Sequence, residues 1–133
     1  MRRSMILATL ALGLASCGRP TDVAVQFHEA LALRDGAKAF ALLSSATRAR
    51  LAAIAKQAHD ASGGTVSDDP AQMIVDGDTG LYPASTPDQP KVVTATLISA
   101  TDARAKVEVK IGQTTQPMEL VREKGHWRVD LPP

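Results

Sequence analysis

Between Arg104 and Ile111 the chain alternates without a break, with Ala105, Val107, Val109 and Ile111 on one parity and Arg104, Lys106, Glu108 and Lys110 on the other. Successive side chains of a β-strand point to opposite faces. The segment therefore predicts a strand with one face in an apolar core and the other in water. Such one-sided patterning belongs to antiparallel sheets covered on a single face. The parity recurs downstream. Met118 and Leu120 are followed by a turn at Lys124-Gly125, and a last strand then sets Trp127, Val129 and Leu131 inward, with His126, Arg128 and Asp130 outward. Upstream, Lys91 to Ile98 is rich in Val, Thr and Ile and predicts one more strand. Short connections at Thr101-Asp102 and Gly112 to Thr115 make these segments an antiparallel meander of four strands.

The part before the sheet reads as helix. Val23, Phe27, Ala30, Leu31 and Arg34 follow three-and-four spacing, with Asp22 in the first turn and Asp35-Gly36 as the stop. Ala37, Phe40, Ala41 and Leu43 suggest a second short helix running into Ser44-Ser45, and either serine suits the cap of a third. That third helix would bury Leu51, Ile54, Ala55 and Ala58 and end before Gly63-Gly64, and it could be continuous with the second. The fold class that follows is α+β, with N-terminal helices packed on one face of a four-stranded antiparallel sheet. From about residue 62 to 90 the chain is dense in Gly, Pro and Asp, with a helical turn expected at Ala71 to Val75. A loop of that length in a small domain carries function or moves.

The N-terminus has a different logic. Met1-Arg2-Arg3 gives a positive start, the apolar run Met5 to Leu14 follows, and small residues close it. A run of ten is too short for an ordinary membrane span, which needs about 20 residues, but it has the layout of an export signal. Arg2-Arg3 lacks the rest of a twin-arginine motif, so the general secretory route is expected. The run ends in Leu14-Ala15-Ser16-Cys17-Gly18, which resembles the lipobox of bacterial lipoproteins. The resemblance implies removal of residues 1–16, a diacylglyceryl group on the Cys17 thiol and a further acyl chain such as palmitate on its amino group. Residues 17–20 would then form a lipidated tether and residues 21–133 a single domain. Two or more acyl chains suffice for stable anchoring, whereas one holds only marginally. Cys17 is the only cysteine, so the domain must hold its fold by packing alone, without an internal disulfide.

Composition narrows the function. Without Arg2 and Arg3 the 15 basic residues become 13 against 14 acidic, a net charge of −1. With no cluster of Lys and Arg, a nucleic-acid partner is not expected. Aromatics are only 3%, so the core is expected to be built from Val, Leu, Ile and Ala, with the last-strand Trp127 as its largest member. His28, His59 and His126 are scattered, with no spacing that suits a metal, and His28 and His126 read as surface or boundary residues. Met73 to Gly80, with Asp76 and Asp78, is similar at first sight to the start of haloacid-dehalogenase phosphotransferases. That chemistry needs a large parallel α/β domain behind it, and a turn-rich loop explains the segment better. No cofactor or metal is expected.

Helices first, a long loop, then a meander closing on Gly125-His126-Trp127-Arg128-Val129-Asp130 resembles the cone-shaped nuclear-transport-factor-2-like superfamily (cystatin-like in outline). Within it, the likeness is to small bacterial lipoproteins of unknown function. Phe27, the Asp35-Gly36 break before Ala41-Leu42-Leu43-Ser44, and the closing Gly-x-Trp-x-Val carry it. The superfamily includes ketosteroid isomerase, but the pattern of that enzyme would put a tyrosine near the first helix and an acid on an inward strand face. Here the only tyrosine is Tyr82, in the loop, and Lys91 to Ile98 contains no acid. The expected function is thus a lipid-anchored, non-catalytic binding or interaction module of the bacterial envelope. Its partner would be a protein or a small apolar ligand, besides the membrane itself. An isomerase-like enzyme and an envelope structural or stress component are the alternatives. Retention in the inner membrane resembles a rule in which Asp follows the Cys, and here Gly18 follows it. In a Gram-negative host the protein should therefore fractionate by density with the outer membrane, on its periplasmic face; recovery mainly with inner membrane would contradict this.

Overall fold

The computed structural model describes residues 18–75 and 93–133. It is an α+β fold in which helices α1 (Pro20–Ala32), α2 (Gly36–Ala41), α3 (Ser45–Ala61) and α4 (Pro70–Val75) precede four strands. These are β1 (Val93–Ala100), β2 (Arg104–Ile111), β3 (Thr114–Glu123) and β4 (His126–Asp130), joined as an antiparallel meander in the order β1-β2-β3-β4. The turns explain the register. Lys124 and Gly125 both have positive φ, at 50° and 80°, as the two-residue turn of a tightly twisted hairpin requires. At the β2–β3 turn Gly112 takes φ 60°. These turns set Val107 opposite Met118, Ala105 opposite Leu120, and Leu120 opposite Val129.

The alternation on β2 is realised as expected: Ala105, Val107 and Val109 are buried, while Arg104, Lys106, Glu108 and Lys110 are exposed. Trp127, Val129 and Leu131 are likewise buried. Across this inner face lies α1, which packs on β1, β2 and β4 with Val23, Ala24, Phe27 and Ala30. Phe27 is fully buried and forms the aromatic centre of the core. Trp127 stands nearer the rim, where the Arg122 guanidinium lies 5.7 Å from its ring centre.

Several boundaries differ from the expectation. The first helix does not stop at Asp35-Gly36. It ends in a Schellman motif with Arg34 at φ 54°, the Asp35 N–H bonding the Ala30 carbonyl at 2.8 Å and the Arg34 N–H bonding that of Leu31 at 3.1 Å. Arg34 thus leaves the apolar face of α1 and donates to the Val75 carbonyl at 3.3 Å. Asp35 begins α2 as its cap, accepting from the Lys38 N–H at 3.1 Å. Gly36 serves packing, because a Cβ there would collide with the Ala71 carbonyl where α2 meets α4.

Helices two and three are separate. Between them Leu43 pairs with Val129 in an isolated parallel bridge, which sets residues 42–44 against the edge of β4. Of the two serines, Ser44 caps α3, accepting from the Thr47 N–H at 3.2 Å. On α3, Leu51 and Ala55 are buried with Thr47, but Ile54 is 45% exposed. Its position, three residues after Leu51, falls off the narrow stripe that the neighbouring elements cover. The helical turn expected at Ala71 to Val75 is α4, opened by Asp69, whose carboxylate accepts from the Ala71 N–H at 3.0 Å.

Large-to-small substitution in a core costs about 3–5 kcal/mol for Trp. A small domain has only about 5–15 kcal/mol in total. Trp127→Ala should therefore leave a chain starting after Cys17 barely folded in denaturant melts. Arg128→Ala, on the outer face, should shift the same melts by no more than about 0.5 kcal/mol. Equal, small effects at both positions would mean that Trp127 contributes little to the core.

Candidate functional site

Cys17, Tyr82 and the Asp76 to Gly80 segment lie outside the described residues. Among the described ones, polar chemistry gathers chiefly where the α2–α3 junction meets the end of β4. The Ser44 hydroxyl lies 2.8 Å from Asp130 Oδ1 and 2.9 Å from Thr47 Oγ1. Thr47 Oγ1 accepts the Leu131 N–H at 3.2 Å. Asp130 Oδ2 also stands 3.7 Å from an Arg104 nitrogen, which in turn is 4.0 Å from Glu119. Glu123 adds a second clasp, accepting from the Ser45 N–H at 3.0 Å and from its hydroxyl at 3.0 Å.

The sequence pattern explains how these groups meet. Asp130 and Glu119 sit opposite each other on the outer face of β4 and β3, and Arg104 is on the same face of β2. Ser44 arrives from the other side, carried to the β4 edge by the Leu43–Val129 bridge. Chemically the cluster is a fastening. Its hydroxyls are held by a carboxylate and a backbone N–H, which ties the start of α3 to the end of β4. The Arg104 ion pairs are largely exposed and contribute little by themselves. A serine cap at position 44 or 45 was readable from the sequence; the choice of Ser44 and its partnership with Asp130, 86 residues away, carried no local signal.

The three histidines are not brought together. His59 Nδ1 pairs with the Val66 carbonyl at 2.7 Å beyond the end of α3, and His126 is exposed at the start of β4. His28 is neither a surface nor a boundary residue: it is only 5% exposed, with its ring edge-on to Phe27 at 5.7 Å between centroids. The stripe between the α1 core face and its solvent face is covered too, which periodicity alone cannot reveal. Burial lowers its pKa from 6.5 to about 4 by penalising the charged form. The described residues include no group of three His, Cys, Asp or Glu that could hold a metal, and no helix long and apolar enough to cross a membrane.

Between α1 and the sheet the side chains of Phe27, Leu43, Val107, Val109, Leu120 and Val129 are fully buried. An open groove of about 260 Å³ lies elsewhere, between α2 and α4, lined by Arg34, Gly36, Ala37, Asp69, Ala71, Gln72 and Val75. Ligand pockets usually run to roughly 300–1,000 Å³ and are concave, and this groove is neither large nor enclosed. The sheet carboxylates Glu108, Glu119, Glu123 and Asp130 all fall on outer-face register positions. The chain matches no protein-family model, no curated protein and no solved structure.

His28 makes acid stability the measurable property of this region. In the folded protein it stays neutral down to about pH 4, whereas in the unfolded chain it takes up a proton near pH 6.5. Its neutral, buried form is therefore fully compatible with folding above pH 6.5, and stability falls as pH drops from there toward 4. A tenfold difference in proton affinity between the unfolded and folded chain corresponds to about 1.4 kcal/mol, so the loss at pH 4.5 should be roughly 2–3 kcal/mol. Urea melts at pH 7 and 4.5 should show it, and His28→Gln should flatten that part of the profile. An unchanged profile in the variant would assign the acid sensitivity to the carboxylates.

Proposed function

We propose that this chain is a bacterial envelope lipoprotein whose domain is a non-catalytic interaction module. The observation that carries the reading is the ordered series in the sequence: a charged start, the apolar run Met5 to Leu14, and Leu14-Ala15-Ser16-Cys17 at its end. Lipid on Cys17 would hold the domain at a membrane without a spanning helix. A free thiol at this position in an oxidising compartment would otherwise be unusual.

The same reading takes the domain as nuclear-transport-factor-2-like. A first helix laid across the inner face of an antiparallel meander supports it, as does the closing Gly125-x-Trp127-x-Val129. A protein partner is taken over a ligand held inside, because the inner face carries fully buried aliphatic side chains such as Leu43, Val107, Leu120 and Val129 rather than exposed ones. The exposed neighbours Leu97 (49%) and Ile98 (52%) on β1 offer apolar surface for such a partner. An isomerase-like activity draws no support from the sheet, whose carboxylates occupy outer-face register positions.

The decisive experiment is mass spectrometry of protein extracted from membranes. It should find a mature chain beginning at a lipid-modified Cys17, and Cys17→Ser should release the protein or stall the precursor. Wild-type protein found soluble with an unmodified Cys17 would end the lipoprotein reading.

A further inference from the structure

Resting on that lipoprotein reading, we propose that the domain is seated end-on against the phospholipid headgroups at the first turn of α1, rather than swinging on a tether. The order of the chain reaches almost to the anchor. Gly18 takes φ 63° and turns back toward α1, where a Cβ on it would lie 3.8 Å from Val23 Cγ2. Arg19 is fixed at both ends, its N–H on Asp22 Oδ2 at 3.4 Å and its carbonyl accepting the Val23 N–H at 3.1 Å. Pro20 is already helical.

Cys17 is therefore one peptide unit from a positioned residue, and consecutive Cα atoms are only about 3.8 Å apart. A flexible linker of n residues gives a span of about 5–6 Å × √n, and here n is close to zero. A diacylglyceryl group buried among acyl chains brings its cysteine to headgroup level. The first turn of α1 must then lie in contact with that layer, with the exposed Arg19 as the cation nearest the lipid phosphates.

Asp22 lies in the first turn and meets the headgroup layer in either pose, so Glu29 is the carboxylate that separates a helix lying flat from one standing on its end. The exposed stripe of α1 runs through Asp22, Gln26 and Glu29. Laid flat, it would press two carboxylates onto a phosphate-bearing surface. Standing on its N-terminus, the helix keeps Glu29 clear of the lipid, and Leu33 at its far end lies about 18 Å beyond Thr21 at a rise of about 1.5 Å per residue. The α2–α4 end of the domain, with its open groove, is then turned away from the bilayer and toward anything approaching from the aqueous side.

Position-dependent quenching tests this on the full lipidated protein. Lipid consumes the only native cysteine, so a single introduced one is the sole thiol available for a fluorophore. Thr21→Cys reports the near end of α1 and Leu33→Cys, at a site 79% exposed, the far end. Each is reconstituted into vesicles of phosphatidylethanolamine and phosphatidylglycerol carrying a headgroup nitroxide, which quenches only at short range. Quenching should be several-fold stronger at position 21 than at position 33. Inserting about twelve Gly/Ser residues after Gly18 lengthens the tether to about 19 Å and should abolish that difference. Equal quenching at both positions in lipidated protein, or a difference that survives the insertion, overturns the end-on seating and leaves the lipoprotein reading intact. If mass spectrometry of the same sample finds Cys17 unmodified, both readings fall.

Discussion

The helical half and the sheet are joined at one short stretch of backbone. The Ser44 N–H bonds the Val129 carbonyl at 2.8 Å, and the Val129 N–H bonds the Leu42 carbonyl at 2.8 Å. A typical hydrogen bond adds only about 0.5–1.5 kcal/mol net, yet these two direct everything around them. They cover the open edge of β4, where unpaired N–H and C=O groups would otherwise invite another strand. They also fix Leu43, which is fully buried, and turn Ser44 so that it caps α3. Once Ser44 is placed, Asp130 and Thr47 close on it, and the chain after β4 is held by the Thr47 hydroxyl and by Arg50, which donates to the Leu131 carbonyl at 2.9 Å.

A core with few aromatics depends on such fastening. Its volume is made up mostly of Val, Leu and Ala, with Ile74 and Met118, around the fully buried ring of Phe27, and Trp127 lies at the rim under Arg122. Small aliphatic side chains each remove little area from water, so the domain needs several elements converging on one inner face. The meander provides that face. α1 covers it, and α2 and α3 follow because the bridge at Leu43 brings them alongside. His28 is enclosed with these elements, and its burial makes the folded state acid-sensitive.

The two edges of the sheet are treated differently. β4 is covered by residues 42–44, whereas β1 has a register shift between Leu97 and Ser99, and its last residues are exposed. A shift of this kind adds twist and disrupts pairing, one of the ways in which proteins blunt an edge. The outer face, with charges of both signs on β2, β3 and β4, stays in solvent.

The sequence by itself determined the parity of β2, the burial of Trp127 and Val129, the sites of the hairpin turns, the helical character of the chain before the loop and a serine at position 44 or 45 as a cap within it. Each rests on a rule that acts within a few residues: two-fold alternation, a left-handed turn at Lys124-Gly125, a hydroxyl reaching the amide three residues on. The tertiary structure alone decided that α2 and α3 are distinct, that Ile54 is exposed while His28 is buried, that Gly36 is needed for the approach of α4, and that Ser44 meets Asp130. Those outcomes depend on partners distant in the chain, such as Val129 for Leu43 and Ala71 for Gly36. Periodicity states which side of an element is apolar. How wide a stripe is covered, and by what, is settled only when the elements pack.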